Sequence, residues 1–432
     1  MAESLRIALA GLGTVGGGVI RLIEANGALI ARRAGRPLEI VAVCARDRGK
    51  DRGVDLGRYQ WEDDMTLLAG RGDIDVVVEL VGGADGPALA LARRTLAAGK
   101  GLVTANKAMI AHHGMELAEA AEAAGAPLKF EAAVAGGIPV VGGLREGAAA
   151  NAILRIYGIL NGTCNYILST MERSGRDFAE VLRDAQDLGY AEADPAFDIE
   201  GVDAAHKLAI LAGIAFGGRI DFGAMEIDGI TRIRAADIAQ AAALGYVIRL
   251  IGFAECEADT GDLFQRVQPC LVPREHPLAA GDGPTNAVVV EGHFSGRLLF
   301  QGAGAGDGPT ASAVVADLID IARGDTGMPF SVPVAALDRL QPADAGRRRA
   351  RSYLRFTVAD RPGVLAEITA AMRDAGVSIE SLIQQGRPEE GGEVLVALVT
   401  HEGPEGSVAR ALQLLVGSPS ITEPPLVMPL LG

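Results

Sequence analysis

The sequence predicts an α/β protein. It reads as a doubly wound nucleotide-binding unit, a mixed α+β middle and a small C-terminal ferredoxin-like unit. Three observations carry this reading. The first 105 residues alternate strand-like and helix-like segments, the pattern of a parallel sheet covered by helices. A glycine-rich turn, Gly11-Leu12-Gly13-Thr14-Val15-Gly16, joins the first strand to the first helix. The last 80 residues run strand, helix, strand, strand, helix, strand, a split βαβ order.

In the first unit, strands are predicted at Leu5–Ala10, Glu39–Cys44, Asp75–Leu80 and Gly101–Thr104. Each is a short apolar run bounded by turn residues. Helices are predicted at Val15–Glu24, from its spacing, and at the Ala-rich Pro87–Ala98. In the middle, helical periodicity marks Met115–Ala124, Phe178–Leu188, Val202–Phe216 and Ala235–Leu244. Strands are predicted at Leu154–Leu160, Val247–Ala254, Phe264–Val272 and Ala287–Phe294. Gly302–Gly308 reads as a loop before a helix at Ser312–Ala322. The breaker-rich stretch Asp325–Arg351, with Arg347, Arg348, Arg349 and Arg351, reads as a solvated linker rather than a binding patch. The last unit takes Tyr353–Ala359, Gly363–Ala375, Val377–Gln384, Glu393–Thr400, Gly406–Val416 and Pro425–Leu430. Expected boundaries are 1–134, 135–345 and 346–432, with 301–325 packing back on the first unit.

The 432 residues allow two to four domains at roughly 100–200 residues each. Forty Lys and Arg against 55 Asp and Glu give a net charge of −15. That balance lacks the basic footprint of a nucleic-acid binder or of a protein drawn to anionic membranes. Hydrophobic residues at 49% exclude a disordered chain. Cys44, Cys164, Cys256 and Cys270 form no C-x-x-C pair, so neither a zinc knuckle nor a disulfide framework is expected. No leader pattern and no uncharged apolar run of ~18 residues is read. A soluble, cytoplasmic protein is expected.

The glycine turn lets the backbone approach a pyrophosphate at a helix N-terminus. In its strand-to-helix setting it points to dinucleotide binding, against a glycine turn of some other α/β fold. After the second strand Arg46 comes first, with Arg48 and Lys50 close by. This favours a 2′-phosphate and so NADP, while Asp47 keeps NAD open; solvated loop charges are the plainer alternative. Lys107, in Thr104-Ala105-Asn106-Lys107, ends the fourth strand, where ligands of open sheets bind, unless it is a surface lysine. Asp203 and Lys207 share one face of an almost wholly apolar helix. They are either a cleft-facing acid–base pair or a structural ion pair. His206 reads as a satisfied structural histidine. Glu192, Asp194, Asp198 and Glu200 crowd one loop, which either binds an ammonium or a metal or is merely solvated. Asn161-Gly162-Thr163 opens a helix whose N–H groups can hold a carboxylate or the nicotinamide. Cys164 there is a thiolate nucleophile or a small packing residue.

Taken together, these motifs resemble homoserine dehydrogenase from about residue 4 to 325, adding Gly189-Tyr190-Ala191-Glu192-Ala193-Asp194-Pro195. The terminal unit resembles an ACT domain through Asp360-Arg361-Pro362-Gly363-Val364-Leu365-Ala366. The resemblance implies reversible NAD(P)H-dependent reduction of L-aspartate 4-semialdehyde to L-homoserine, with feedback through the ACT domain. It implies Lys207 as proton donor with Asp203 as its partner, and Lys107 touching cofactor and substrate. Glu192 would bind the substrate amino group, and Asp198, Asn161, Gly162 and Thr163 would complete the substrate site. The cofactor set becomes Gly11, Gly13, Thr14, Val15, Gly16, Arg46, Gly82, Lys107 and Gly304. A monovalent cation, Na+ or K+, is implied at Glu131, Val134, Gly136 and Ile138. A threonine effector at the ACT domain and a homodimer or homotetramer are also expected. Two rivals stay open: a cysteine-dependent semialdehyde dehydrogenase using Cys164, and a non-catalytic amino-acid or nucleotide sensor.

Overall fold

A computed structural model describes residues 3–385 and 393–432. Met1 and Ala2, part of the stretch behind the expectation of no leader, lie outside the described residues. The first sheet holds β1 (Leu5–Ala10), β2 (Leu38–Cys44), β3 (Gln60–Trp61), β4 (Val76–Glu79), β5 (Gly101–Thr104) and β6 (Leu128–Lys129). Their order is β3-β2-β1-β4-β5-β6, and every pairing is parallel. All six carboxyl ends therefore share one edge, and the order reverses between β1 and β4, where such sheets bind ligands. The apolar runs fit this: Val76, Val77 and Val78 are buried because helices cover both faces.

The first helix spans Thr14–Ala34, not only Val15–Glu24; it kinks at Asn26 (φ −114, ψ 16) and resumes. Asparagine and glycine at 26 and 27 are what hid the second half from periodicity. Helix Asp307–Ala322 packs against it, with Arg21 Nη2 2.9 Å from Asp307 Oδ2. A Cβ at Gly18 would stand 2.8 Å from the Asp307 carbonyl oxygen, so the two helices meet at backbone distance.

The second sheet holds β7 (Ile153–Ile159), β8 (Glu226–Ile227), β9 (Tyr246–Cys256), β10 (Leu263–Pro273), β11 (Thr285–Gly292) and β12 (Gly296–Ala303). Its order is β12-β11-β7-β9-β10-β8, antiparallel except for β8 on β10. β12 departs from the sequence reading. It is an edge strand with five of its eight residues exposed, and Phe294, at the hairpin tip before it, falls inside the strand the sequence predicts ahead of it. Helix Val202–Phe216 lies on β7, β9 and β10 and also against helix Lys107–Ala124. Asp203 through Ile214 are all buried. This helix joins the first sheet's unit to the second.

After β13 (Arg349–Ala350) come β14 (Ser352–Ala359), β15 (Ile379–Gln385), β16 (Glu393–Thr400), β17 (Gly403–Pro404) and β18 (Leu426–Pro429). The order β15-β16-β14-β18, all antiparallel, with helices Val364–Asp374 and Glu405–Leu414, is the expected ferredoxin-like unit. The stretch before it is not a solvated linker. Phe330 is fully buried against Phe130, with ring centroids 5.4 Å apart, and Val334 and Leu337 join the core. Arg348 bonds Glu405 at 2.8 Å and lies over the rings of Phe253 and Phe264. Arg349 pairs with Glu402 and Arg351 with Glu380. Breaker residues hid a strap whose anchors are single aromatic and charged side chains.

Candidate active site

The glycine turn sits at the sheet's switch point. Gly11 adopts φ +99, and a Cβ there would stand 2.6 Å from the Leu80 carbonyl oxygen. At Gly16 it would lie 2.1 Å from the Gly11 carbonyl oxygen. Only glycine fits either position, and the helix start at Thr14 carries no side-chain cap. First-turn N–H groups at Thr14, Val15 and Gly16 are thus left for an anion. Gly13 faces open space. Arg46, Arg48 and Lys50 are exposed past β2. Arg52, which the sequence reading missed, ties this loop to the glycine turn, its Nε donating to the Leu12 carbonyl at 2.9 Å.

Across the switch point, Glu79 ends β4 fully buried. Its carboxylate accepts from the N–H groups of Val81 and Gly82 (2.7 and 3.0 Å) and from the Thr104 hydroxyl at 2.6 Å. Asn106 caps the next helix through Met109 N–H and donates to the Gly83 carbonyl at 2.7 Å. Glu79 and Asn106 therefore aim Lys107 from the first residue of that helix. Asn106 enters the sequence reading only as part of the motif that ends at Lys107, and Glu79 does not enter it, although a carboxylate at a strand's carboxyl end was the available signal.

Lys107 reaches the second unit. Its Nζ lies 3.1 Å from Asp203 Oδ1, while Lys207 Nζ lies 2.8 Å from Asp203 Oδ2 and donates to the Leu160 carbonyl at 2.7 Å. Asn161 Nδ2 donates to Asp203 Oδ2 and to Asp198 Oδ1, both at 2.8 Å. Burial alone would raise the Asp203 carboxyl; Lys207, then Lys107, hold it well below the carboxylate range instead. Burial, then the charge of Asp203, pushes Asp198 up. The single Thr163 hydroxyl proton is shared between the Tyr190 carbonyl at 2.8 Å and Asp198 Oδ2 at 3.1 Å, and Asn161 Oδ1 caps its helix at Cys164 N–H. The Gly162 and Thr163 N–H groups donate no hydrogen bond among the described residues. Lys107 is a third exposed, whereas Lys207 and Asp203 are nearly enclosed. Phe197, also unforeseen, lies 5.6 Å from Lys107 Nζ.

One alternative falls here and one expectation is corrected. Cys164 is fully buried, donates to the Asp198 carbonyl at 3.2 Å, and burial with Asp198 and Asp203 drives its thiol well up. A thiolate nucleophile does not form in such surroundings. His206 is not fully satisfied. Its Nε2 meets His112 Nε2 at 3.0 Å, but its buried Nδ1 has no partner among the described residues. Burial, then His112, lowers its pKa to about 4. Glu192 is exposed, and among the described residues only its backbone carbonyl is held, by Gln186. At Gly304 a Cβ would collide with Asn286 Oδ1. A Cβ at Gly136 would in turn meet the Gly304 carbonyl oxygen, at 2.6 Å.

A dinucleotide cradle on one side and a lysine–carboxylate cluster on the other make a nicotinamide-dependent oxidoreductase. The comparisons then narrow the class. The family described as homoserine dehydrogenase, NAD binding domain, matches residues 11–131, and the homoserine dehydrogenase catalytic family matches 139–319. An ACT domain matches 352–415. The chain is 44% identical to homoserine dehydrogenase of Pseudomonas aeruginosa over 98% of each sequence. It is 42% identical to that of Corynebacterium glutamicum over 97% of this chain and 94% of the relative. The solved homoserine dehydrogenase of Thiobacillus denitrificans superposes with TM-score 0.92 at 40% identity, covering 99% of this chain and 98% of that one. A putative homoserine dehydrogenase from Archaeoglobus fulgidus, 34% identical, matches 73% of this chain and 99% of its own, with TM-score 0.65. The chain belongs to the homoserine dehydrogenase family.

Proposed function

We propose that the cluster of Lys107, Asp203 and Lys207 performs reversible reduction of L-aspartate 4-semialdehyde to L-homoserine. The observation that carries this is one buried carboxylate holding two lysines, one from each unit, at the mouth of the dinucleotide cleft. The nicotinamide, when bound, supplies the hydride. The chain must orient a small zwitterionic aldehyde and deliver one proton. Lys207 is assigned as donor to the carbonyl oxygen, with Asp203 fixing its position. The free N–H groups of Gly162 and Thr163 suit the substrate carboxylate, and Asp198, Asn161 and Glu192 its ammonium. Lys107 has a claim to the donor role as well, because it alone is a third exposed. Adding homoserine and NADP to the protein and following the nicotinamide absorbance band tests the activity. No change would refute it.

Finer points belong to the same reading. Arg46 with its basic neighbours favours NADP over NAD. A monovalent cation, Na+ or K+, is assigned to the loop of Glu131, Val134, Gly136 and Ile138. The buried carbonyls of Val134 and Gly136 accept no hydrogen bond among the described residues, which suits a hard cation. The Glu131 carboxylate is already taken by the N–H groups of Val141 and Gly142, so carbonyls rather than carboxylate would do the binding. The Pro362-Gly363 turn borders a cavity of about 450 Å³, the place assigned to threonine. Exposed Leu299 on β12 and Phe294 at its tip favour a homo-oligomer through this edge. The four cysteines are free, in keeping with a cytoplasmic protein.

A further inference from the structure

The junction between the ACT domain and the second sheet forms an open cleft of about 460 Å³, within the size range of metabolite sites. None of the active-site residues lines it, and it shares no residue with the cavity at the Pro362-Gly363 turn. One wall comes from β8, the residues after it and β10. The other comes from helix Glu405–Leu414 and β18. Arg266 clasps both walls, pairing with Glu226 at 2.7 Å and Glu405 at 2.6 Å.

The unspent chemistry of this cavity is specific. Asp228 is exposed, and its carboxylate has no ion pair or hydrogen bond among the described residues. Among the described residues Arg232, four positions on, uses only Nη2, on the carbonyls of Pro424 and Pro425. Ile227, Val408, Ala409, Leu412 and Val427 supply an aliphatic wall beside them. A free carboxylate, a partly used guanidinium and an aliphatic wall together complement a zwitterion with an aliphatic side chain.

The wall that carries Asp228 is also the back of the active site. Ile230 N–H donates to the Ile199 carbonyl at 2.8 Å, and Asp228 N–H to the Val267 carbonyl at 2.7 Å. A Cβ at Gly229 would stand 2.2 Å from the Ile199 carbonyl oxygen, and one at Gly201 3.2 Å from side-chain atoms of Ile227 and Val267. Ile199–Gly201 links Asp198 to Asp203. There is no slack between cavity wall and catalytic segment, so displacement of one moves the other.

We propose that this interdomain cavity binds an aliphatic α-amino acid, ammonium on Asp228 and carboxylate on Arg232, and that occupancy is felt at Asp198 and Asp203. The coupling, though not the binding, rests on the active-site reading above. Calorimetric titration of the full chain with leucine, methionine and threonine tests the binding, with isoamylamine and isocaproate as single-charge probes. At least one amino acid is expected to bind, and the single-charge probes about tenfold or more weaker. Ala409→Trp fills the cavity from an exposed helix position, and Asp228→Asn removes the ammonium's partner. Each is expected to weaken binding about tenfold or more, with folding checked by thermal melts. Gly363→Val, in the other cavity, should leave this binding intact. Saturating amino acid should shift KM for homoserine by about fivefold or more in the parent and not in Ala409→Trp. Binding by none of the three amino acids, wild-type binding in both cavity variants, or loss in Gly363→Val alone overturns the site. Binding without a KM shift overturns the coupling.

Discussion

Asp203 is the residue on which the site turns. It sits one helical turn before Lys207 and accepts from Lys207, Asn161 and Lys107 together, so three elements converge on one carboxylate. If Lys207 delivers the proton, Lys207→Ala should lower kcat by about 10²–10⁴-fold while cofactor affinity stays near wild type. Steady-state kinetics in both directions would check this, and a variant keeping more than about a third of wild-type turnover transfers the role to Lys107. A second residue-scale expectation concerns acid. The folded chain holds His206 at about 4, below the ordinary 6.5, so the unfolded state binds the extra proton. This contribution to stability is complete above about pH 6.5 and is lost as pH falls toward about 4, at up to about 1.4 kcal/mol per unit. Phe222, Phe197 and His112 box the ring, so His206→Phe should keep the packing. Urea midpoints between pH 4.5 and 7, conditions chosen to bracket about those limits, should then fall less steeply than in the parent.

At the scale of elements, most of the frame was legible. β1, β5, β16 and helix Val202–Phe216 fall where apolar runs and helical spacing put them, because burial on a face or all round leaves a period in the sequence. The misses share a cause. β12 is half solvated, the strap around Phe330 hangs on single anchors, and the first helix bends at Asn26, so none leaves a clean period. The Asp203–Lys207 pair was legible because both members lie on one helix. Arg52, Glu79 and Phe197 were not, because their partners are far off in the chain or lie in a turn. Gly304 tests the packing just past the end of β12, which the proposed function puts at the cofactor. Gly304→Ala would place Cβ 1.2 Å from Asn286 Oδ1 and force aside an amide that donates to the Ile159 carbonyl. Overpacking of this kind costs about 1–3 kcal/mol, and a thermal melt should show it. Cofactor affinity should fall too, and an unchanged melting temperature would mean that the strand end yields freely.

Across the whole molecule, the ACT domain is built into the catalytic unit rather than tethered to it. Asp237, fully buried, accepts from Arg355 at 2.8 Å and from the Tyr353 hydroxyl at 3.0 Å, both on β14. It also caps its own helix by accepting from Arg234 N–H at 2.9 Å. β18 packs against β10, and Leu431 N–H donates to the Leu271 carbonyl. The Archaeoglobus fulgidus relative matches only 73% of this chain, so a shorter form of the fold exists. In this chain, however, removal of the ACT domain uncovers a face shaped to receive it. A chain ending at Ala345 should retain turnover with a much lower melting temperature. Asp237→Leu gives the decisive comparison. In the full chain it leaves Arg355 buried without its partner, a loss of about 3–5 kcal/mol. In the chain ending at Ala345 only the helix cap is lost, about 1 kcal/mol, offset by the removal of a charge that lost its cation. Denaturant unfolding of all four proteins measures the difference. Equal losses in both backgrounds would show that Asp237 serves its own helix alone, and that the ACT domain is held by its apolar contacts.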